Sequence, residues 1–178
     1  MHSFYCSITL VVLKVSLAAA QISTQVPDSF KIFESIPCVA AVADINDDGE
    51  LDCLVAKQIT LNKRAKTAEY VWVLNGDHGN LKPIITFHVM EGRSPDIFRY
   101  TMDEKQADPG EAKFLYTDYK NCAILRMFFN GTRCILWSSA KKKDSIPAEC
   151  IDRFHETCGI PVSLYSYHLC KDENICGV

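Results

Sequence analysis

Short apolar runs separated by turn residues dominate the middle of the chain. Val, Ile, Phe, Tyr and Trp are concentrated in these runs, and Gly, Pro, Asn and Asp stand between them, as is typical of strands joined by short turns. We predict eight strands, at residues 38–43, 51–59, 68–74, 83–90, 96–102, 112–116, 122–129 and 133–138. This succession favours an up-and-down β-barrel or a sandwich.

Two segments that flank the strands have helical patterns instead. Residues 27–35 carry Phe30 and Phe33 at i, i+3 spacing and stop before a proline, which predicts a short helix. Residues 146–159 have a proline near the start, a glutamate in the first turn and a glycine at the end, as helices commonly do. The apolar residues of this second helix share one face, so we expect it to pack on the sheet. A final extended piece is predicted at residues 162–170.

Asn130-Gly131 joins the last two predicted strands. This dipeptide favours a tight hairpin, because both turn positions adopt positive φ. Asn130-Gly131-Thr132 is also the single Asn-x-Ser/Thr sequon of the chain. In a secreted protein we expect Asn130 to be glycosylated, since it lies at an exposed hairpin tip.

Residues 1–20 have the features of a secretory signal peptide. An apolar run from Ile8 to Leu17 is followed by three alanines, which are typical of a cleavage site. The run is too short for a membrane span and contains Lys14. We therefore expect residues 21–178 to form one secreted, extracellular domain. Its net charge changes from −3 to −4 once Lys14 is removed, which disfavours nucleic acids and anionic membranes as partners.

Eight cysteines remain after the signal peptide. An even number in a small secreted domain indicates a disulfide framework, although spacing alone leaves the pairing open. They are Cys38, Cys53, Cys122, Cys134, Cys150, Cys158, Cys170 and Cys176. No Cys-x-x-Cys pair occurs, so we expect no zinc site.

Several short motifs follow one another in a specific order along the chain. They are Asp28-Ser-Phe-Lys, Leu51-Asp-Cys53, Ala68-Glu-Tyr-Val-Trp72, Phe98-Arg-Tyr100, Asn121-Cys122, Leu136-Trp137 and the segment from Ile146 to Phe154. In this order the chain resembles the tick salivary lipocalins of the histamine-binding type. The resemblance implies an all-β fold with flanking helices: an eight-stranded antiparallel up-and-down lipocalin barrel with a short N-terminal helix and a C-terminal helix packed on its wall.

The resemblance also implies a disulfide pattern. Three bonds are expected, Cys53–Cys170, Cys122–Cys150 and Cys134–Cys158. Cys38 and Cys176 then remain, and by elimination we expect them to pair with each other. Each bond would stabilise the fold by about 2–4 kcal/mol, mainly by restricting the unfolded chain.

These pairings predict which side chains face the barrel interior. Cys122 and Cys134 must face outward to reach the C-terminal helix, and strand side chains alternate between faces. Cys53 must also face outward, which turns Asp52 inward near the barrel end. With the aromatic residues that match the family's pocket, the candidate ligand pocket comprises Trp72, Phe98, Tyr100, Ala123, Leu125, Met127, Ile135, Trp137 and Asp52.

Two of these positions bear directly on the ligand. Histamine-binding members carry an acidic residue directly after the cysteine that corresponds to Cys122, and another directly before a Leu-Trp pair that corresponds to Leu136-Trp137. Both acids project into the barrel. This chain has Ala123 and Ile135 there. A buried ammonium group requires a carboxylate partner. We therefore predict that the protein sequesters a lipid-like host inflammatory mediator, such as an eicosanoid, a fatty acid or a sterol.

The sequence leaves three alternatives open. An amine such as histamine could bind through other acids, with Asp44, Asp52 and Asp118 as candidates. The interior could also be a filled core that binds no ligand. Finally, a tick lipocalin can act on host proteins through its outer loops. This alternative stays open because recognition through loops leaves no motif in the sequence. By sequestering its mediator the protein would dampen host inflammation or immunity, and we expect a monomer without a cofactor.

The sequence motifs support neither a calcium site nor an enzyme active site. Residues 44–49 match the first half of an EF-hand calcium loop, but Val55 stands where that loop needs a bidentate glutamate. We interpret the segment as an acidic turn between strands. No cysteine is left over as a nucleophile, and neither Gly-x-Ser-x-Gly nor His-Glu-x-x-His occurs. The sequence therefore predicts a binding protein and not an enzyme.

Overall fold

Eight antiparallel strands pair in chain order and close on themselves. In the computed structural model, which describes residues 25–74, 84–103, 108–166, 168, 170 and 176, the strand order is continuous from β2 to β8, and β1 pairs with both. The strands are β1 Cys38–Asp44, β2 Val55–Asn62, β3 Thr67–Val73, β4 Ile84–Glu91, β5 Ile97–Met102, β6 Gly110–Thr117, β7 Cys122–Phe128 and β8 Thr132–Ser139. The prediction of an eight-stranded barrel is confirmed. A two-residue strand, β9 at Val162–Ser163, extends the sheet beside β1.

The barrel wall separates two apolar clusters. Alternate residues of β7 illustrate the division, because Ala123, Leu125 and Met127 belong to the interior cluster, whereas Cys122 and Ile124 belong to an outer one. Alternation of apolar residues on both faces follows from the period of two along a strand. β7 and β8 are apolar on both faces because a helix covers their outer side.

That covering helix, α2, spans Ala148–Cys158. Its two buried residues, Cys150 and Phe154, lie one turn apart and pack in the outer cluster. Four disulfides fasten the fold, namely Cys122–Cys150, Cys134–Cys158, Cys53–Cys170 and Cys38–Cys176. The first two hold α2 on the barrel. This is the predicted pairing.

The short helix α1, Ser29–Ser35, closes one end of the barrel. Asp28 caps it, because its carboxylate accepts hydrogen bonds from the backbone N–H groups of Phe30 and Lys31, each at 3.0 Å. The backbone N–H of Asp28 donates to the Tyr119 hydroxyl at 2.8 Å, and Ser29 N–H donates to a loop carbonyl at 2.8 Å. We call this the helix end. At the opposite end, the described loops at residues 45–54 and 129–131 define what we call the hairpin end.

The structure corrects two local predictions. The second strand begins at Val55 and not at residue 51, because residues 51–53 form a turn in which Cys53 has φ of 55°. The extended piece predicted at residues 162–170 is a strand only at Val162–Ser163. In the last hairpin, Phe128 pairs with Thr132, so the loop consists of Phe129, Asn130 and Gly131.

The predicted signal peptide lies outside the described residues. Neither helix of the described chain combines the length and hydrophobicity that crossing a membrane would require.

Candidate functional site

An apolar cavity lies inside the barrel. Its volume is about 60 Å³, measured as the space open to the centres of water molecules. A single water needs roughly 10–15 Å³ on this measure. The lining residues come from α1, from the residue that follows it and from all eight strands of the wall: Ile32, Phe33, Ile36, Val39, Ala56, Tyr70, Trp72, Phe87, Val89, Phe98, Phe114, Ala123, Leu125, Met127 and Trp137.

Each of the eight strands supplies at least one of these lining residues, and α1 supplies the floor. Phe33 is central to this floor, since its ring lies 5.2–5.8 Å from the rings of three wall residues, Tyr70, Phe98 and Phe114. The Phe30 ring packs edge-on against Phe33 at 5.3 Å. The predicted N-terminal helix therefore has a role that its spacing did not reveal, because it seals the cavity from the helix end.

A group of large rings lies between the cavity and the hairpin end. Trp72 is at its centre, with ring centroids 4.4 Å from Phe87, 5.3 Å from Trp137 and 5.4 Å from Phe129. Tilted contacts of this kind add to the stabilisation from burial. The aromatic side chains thus occupy much of the space that a barrel of eight strands encloses, and a ligand larger than the cavity requires some of them to move.

The structure brings most of the predicted pocket residues together. Six of them line the cavity directly: Trp72, Phe98, Ala123, Leu125, Met127 and Trp137. Tyr100 and Ile135 are buried in the same interior cluster but do not border the cavity. The placement of Asp52 is a correction, because it lies in the turn before β2, beside Gly49, and not on an inward face of a strand.

The tyrosine hydroxyls of the interior are engaged by the protein. Tyr70 accepts a hydrogen bond of 2.9 Å from the Gln58 side-chain amide, which also donates to the Phe33 carbonyl at 2.9 Å. Tyr100 donates to the Phe128 carbonyl at 2.5 Å. Burial raises the pKa of both tyrosines, so the two hydroxyls are neutral at physiological pH. Among the described residues, the cavity lining carries no charged side chain.

The acids considered for amine binding are engaged elsewhere. Asp44 is fully buried, and its carboxylate accepts hydrogen bonds from Arg133 and from the backbone N–H groups of Ile45 and Cys134. Asp118 accepts backbone hydrogen bonds at the turn that follows β6. Neither residue lines the cavity.

A buried arginine organises the hairpin end. The Arg133 side chain is fully buried, and its guanidinium forms ion pairs with Asp44 at 3.1 Å, Asp48 at 2.7 Å and Glu50. Its Nε donates to the Phe129 carbonyl at 3.0 Å. Burial alone would lower the pKa of Arg133, but hydrogen bonding to Asp44 and the charges of Asp44 and Asp48 raise it. The guanidinium therefore remains charged and ties β8 to the loop between β1 and β2.

This cluster explains the resemblance of residues 44–49 to a calcium loop. Two acids of the motif, Asp44 and Asp48, face the Arg133 guanidinium, which provides the positive charge that a metal ion would otherwise supply. The interpretation of the segment as a turn between strands agrees with its position between β1 and β2. The arginine partner was missed, because it is 89 residues away in the sequence.

Other interior residues were also missed. Tyr70, Phe87 and Phe114 line the cavity, and each occupies an alternate position of a strand that the sequence analysis identified. Alternation counted from Trp72 would have placed Tyr70 on the same face. No comparable signal in the sequence identifies Phe33 as a lining residue.

Comparison with known proteins agrees with this architecture. The family described as tick histamine binding protein matches residues 40–172 of the chain. No curated protein sequence matches it significantly. Among solved structures, Japanin from Rhipicephalus appendiculatus bound to cholesterol is 18% identical, with a TM-score of 0.52 over 72% of this chain and 91% of Japanin.

Two further structures share the fold. AM182 in its serotonin complex is 12% identical, with a TM-score of 0.58 over 78% of this chain and 90% of AM182. Lobster apocrustacyanin A1 is 13% identical, with a TM-score of 0.54 over 74% of this chain and 77% of the lobster protein. The family is described by histamine binding, and Japanin and AM182 were solved with bound small molecules, which agrees with the prediction of a binding protein and not an enzyme. Because the family match spans most of the sequence, the chain belongs to the tick histamine-binding protein family.

Proposed function

We propose that this protein is secreted into the host and sequesters a small, neutral, lipid-like mediator inside its barrel. The observation that carries the proposal is the lining of the cavity, in which every described side chain is apolar or aromatic. Such a lining favours apolar guests, because burial of apolar surface is favourable and a charged group would lose its hydration.

The positions that carry acids in histamine-binding members support this choice. Ala123 and Ile135 are 1% and 0% exposed and lie among apolar neighbours. An ammonium group beside them would have no carboxylate to compensate for its desolvation. A lipid carboxylate is disfavoured for the same reason, since Arg133, the buried cation of the described chain, is already paired with acids. A sterol-like ligand is therefore favoured over a fatty acid or an eicosanoid.

The neighbouring structures represent two ligand chemistries on one fold. Japanin was solved with cholesterol and AM182 with serotonin. The apolar interior of this chain suits the first chemistry. Amine binding is the second candidate, and the AM182 complex is the observation that favours it.

Several features support secretion. The chain begins with a segment that resembles a signal peptide, so the proposed mature protein comprises residues 21–178. Its four disulfides are typical of extracellular proteins. Asn130, the asparagine of the sequon, is exposed in the hairpin loop, as a glycosylation acceptor must be. Sequestration then requires only that the protein exceed the mediator in concentration and bind it tightly.

Native mass spectrometry of the folded protein tests this function. The protein is incubated with cholesterol, arachidonate, leukotrienes, serotonin and histamine, and we expect a one-to-one complex with cholesterol. The variant A123L places extra methyl groups in the cavity and should weaken that complex at least tenfold. A148L makes the same change at an exposed position of α2 and should have no effect. A tight histamine complex without a cholesterol complex would refute the proposal.

A further inference from the structure

Phe129 differs from the other aromatic residues of the interior in its attachment to the fold. It belongs to the loop between β7 and β8, outside the strand pairing, yet it is only 6% exposed. Its ring lies 5.4 Å from the ring of Trp72 and 6.4 Å from that of Phe87. Both partners line the cavity, whereas Phe129 does not. The ring therefore covers the cavity wall from the hairpin end.

Hydrogen bonds hold the backbone of this loop in place. The Phe129 carbonyl accepts a hydrogen bond from Arg133 Nε at 3.0 Å, and the Phe129 N–H donates to the Gly131 carbonyl at 2.8 Å. The preceding carbonyl, of Phe128, accepts from the Tyr100 hydroxyl at 2.5 Å. Asn130 and Gly131 have φ of 47° and 126°, so the chain reverses direction directly after Phe129. These contacts point the Phe129 ring into the barrel.

The same contacts connect the ring to the acidic loop. Arg133 pairs with Asp44, Asp48 and Glu50 while it holds the Phe129 carbonyl. The side-chain amide of Asn130 also donates to Glu50. Two loops of the hairpin end are therefore joined by one network, and the Phe129 ring is attached to that network through its own backbone.

We propose that Phe129 is the gate of the cavity and sets the size of ligand that the barrel admits. This inference rests on the proposed function for its ligand, because a cavity of about 60 Å³ is too small for a sterol without side-chain movement. Trp72 and Phe87 are fixed in strands that pair on both sides. Phe129 lies in the end loop, outside the cavity lining, so rotation of its ring leaves the backbone hydrogen bonds of the loop intact and opens a path to Trp72.

The position of the helix end supports the same route. Phe33 and its three aromatic neighbours close that end, and α1 is anchored there through Asp28 and Ser29. Entry through the helix end would require the whole helix to leave. Among the residues that the structure describes, entry past Phe129 requires the movement of one side chain.

The test compares F129A and F129L with F128A. Phe128 is the adjacent residue of the same hairpin, but it is 67% exposed and serves as a matched control. The two tryptophans of the chain, Trp72 and Trp137, are both interior and report on access without any ligand. The first readout is quenching of their fluorescence by acrylamide. The second is the association rate of the fluorescent sterol dehydroergosterol, followed by energy transfer from tryptophan.

We expect F129A to increase the acrylamide quenching constant several-fold and to accelerate sterol association at least tenfold. F129L, which retains an apolar side chain and protects the fold, should give a smaller increase, and F128A should behave like the wild type. Unchanged quenching in folded F129A and F129L would overturn the gate. Absence of sterol binding in all proteins, together with increased quenching in F129A, would support the gate and refute the proposed ligand instead.

Discussion

The two ends of the barrel are closed by different kinds of interaction. At the helix end, α1 inserts Phe30, Ile32 and Phe33 into the interior cluster, and aromatic contacts dominate. At the hairpin end, the fully buried Arg133 guanidinium holds the acidic loop through ion pairs and hydrogen bonds. The hydrophobic effect is non-directional, whereas hydrogen bonds and charge-assisted pairs require defined geometries.

This difference indicates separate roles for the two ends. A helix packed on the core contributes to stability and gives way only when the core is disturbed. A loop attached by directional contacts around one cation can keep its backbone while a single ring, Phe129, moves. We therefore assign ligand access to the hairpin end and a purely structural role to the helix end, and the following predictions measure how firmly each end is held.

The largest effect is expected from R133M. The substitution leaves Asp44 buried without its cation, and we expect a loss of about 5 kcal/mol in the free energy of unfolding. Arg126 on β7 provides the control, because it is exposed and its side chain's single hydrogen bond within the described part of the chain goes to the Thr157 carbonyl at 3.2 Å. R126M should cost about 0.5–1 kcal/mol. Urea unfolding of both variants measures the difference.

A second substitution identifies the cause of that loss. Adding D44N to R133M removes the uncompensated buried charge and should recover about 1–2 kcal/mol. If D44N instead adds a further loss of the same size as in the wild type, the two residues do not interact energetically and the proposed organisation of the hairpin end is wrong.

At the helix end, F33A should cost about 3 kcal/mol. The change removes a ring that is 5% exposed and leaves a cavity among Tyr70, Phe98 and Phe114. Thermal unfolding monitored by circular dichroism measures the loss, with F128A as the exposed control. A loss no greater than that of F128A would show that α1 does not seal the barrel in solution.

Removal of the α1 cap should have a smaller effect. D28A deletes the carboxylate that accepts from the Phe30 and Lys31 N–H groups, which should cost about 1 kcal/mol. The control is S35A at the last position of the same helix, where the exposed hydroxyl only bonds back to the Lys31 carbonyl. Equal melting temperatures for D28A and S35A would argue against the cap.

The smallest effect is a dependence of stability on pH, and it also belongs to the helix end. Burial alone would raise the pKa of Asp118 and of Asp96. Hydrogen bonds from backbone N–H groups nevertheless lower the pKa of Asp118, and hydrogen bonds from Ser94 and Lys113 lower the pKa of Asp96. The stabilisation that these two carboxylates contribute is complete above their pKa in the unfolded chain, about 3.9. It is lost as the pH falls through their lower pKa values in the folded protein. Urea unfolding at pH 5 and pH 3 should show this loss, and D118N should reduce it. A difference that is identical in D118N and the wild type would contradict this assignment.

Local patterns were sufficient to predict much of the barrel. The alternation around Cys122 and Cys134 placed Ala123, Leu125 and Trp137 in the interior, where the structure has them. Such predictions succeed because the face of a strand residue follows from its neighbours.

The predictions that failed involve contacts between distant segments. Arg133 is 89 residues from Asp44, and no local pattern connects them. The placement of Asp52 assumed a strand at residue 51, but the chain turns there with Cys53 at positive φ. A cysteine in a disulfide can lie in a turn as readily as on a strand, so its partner does not fix the direction of the residue before it.

Titration of the wild-type protein with dehydroergosterol and, separately, with histamine tests the central claim most directly. Both tryptophans border the apolar cavity, so their emission reports its occupancy. We predict that the sterol quenches this emission with one-to-one stoichiometry and that histamine leaves it unchanged and does not compete. Quenching by micromolar histamine, with no response to the sterol, would contradict an apolar ligand in this barrel.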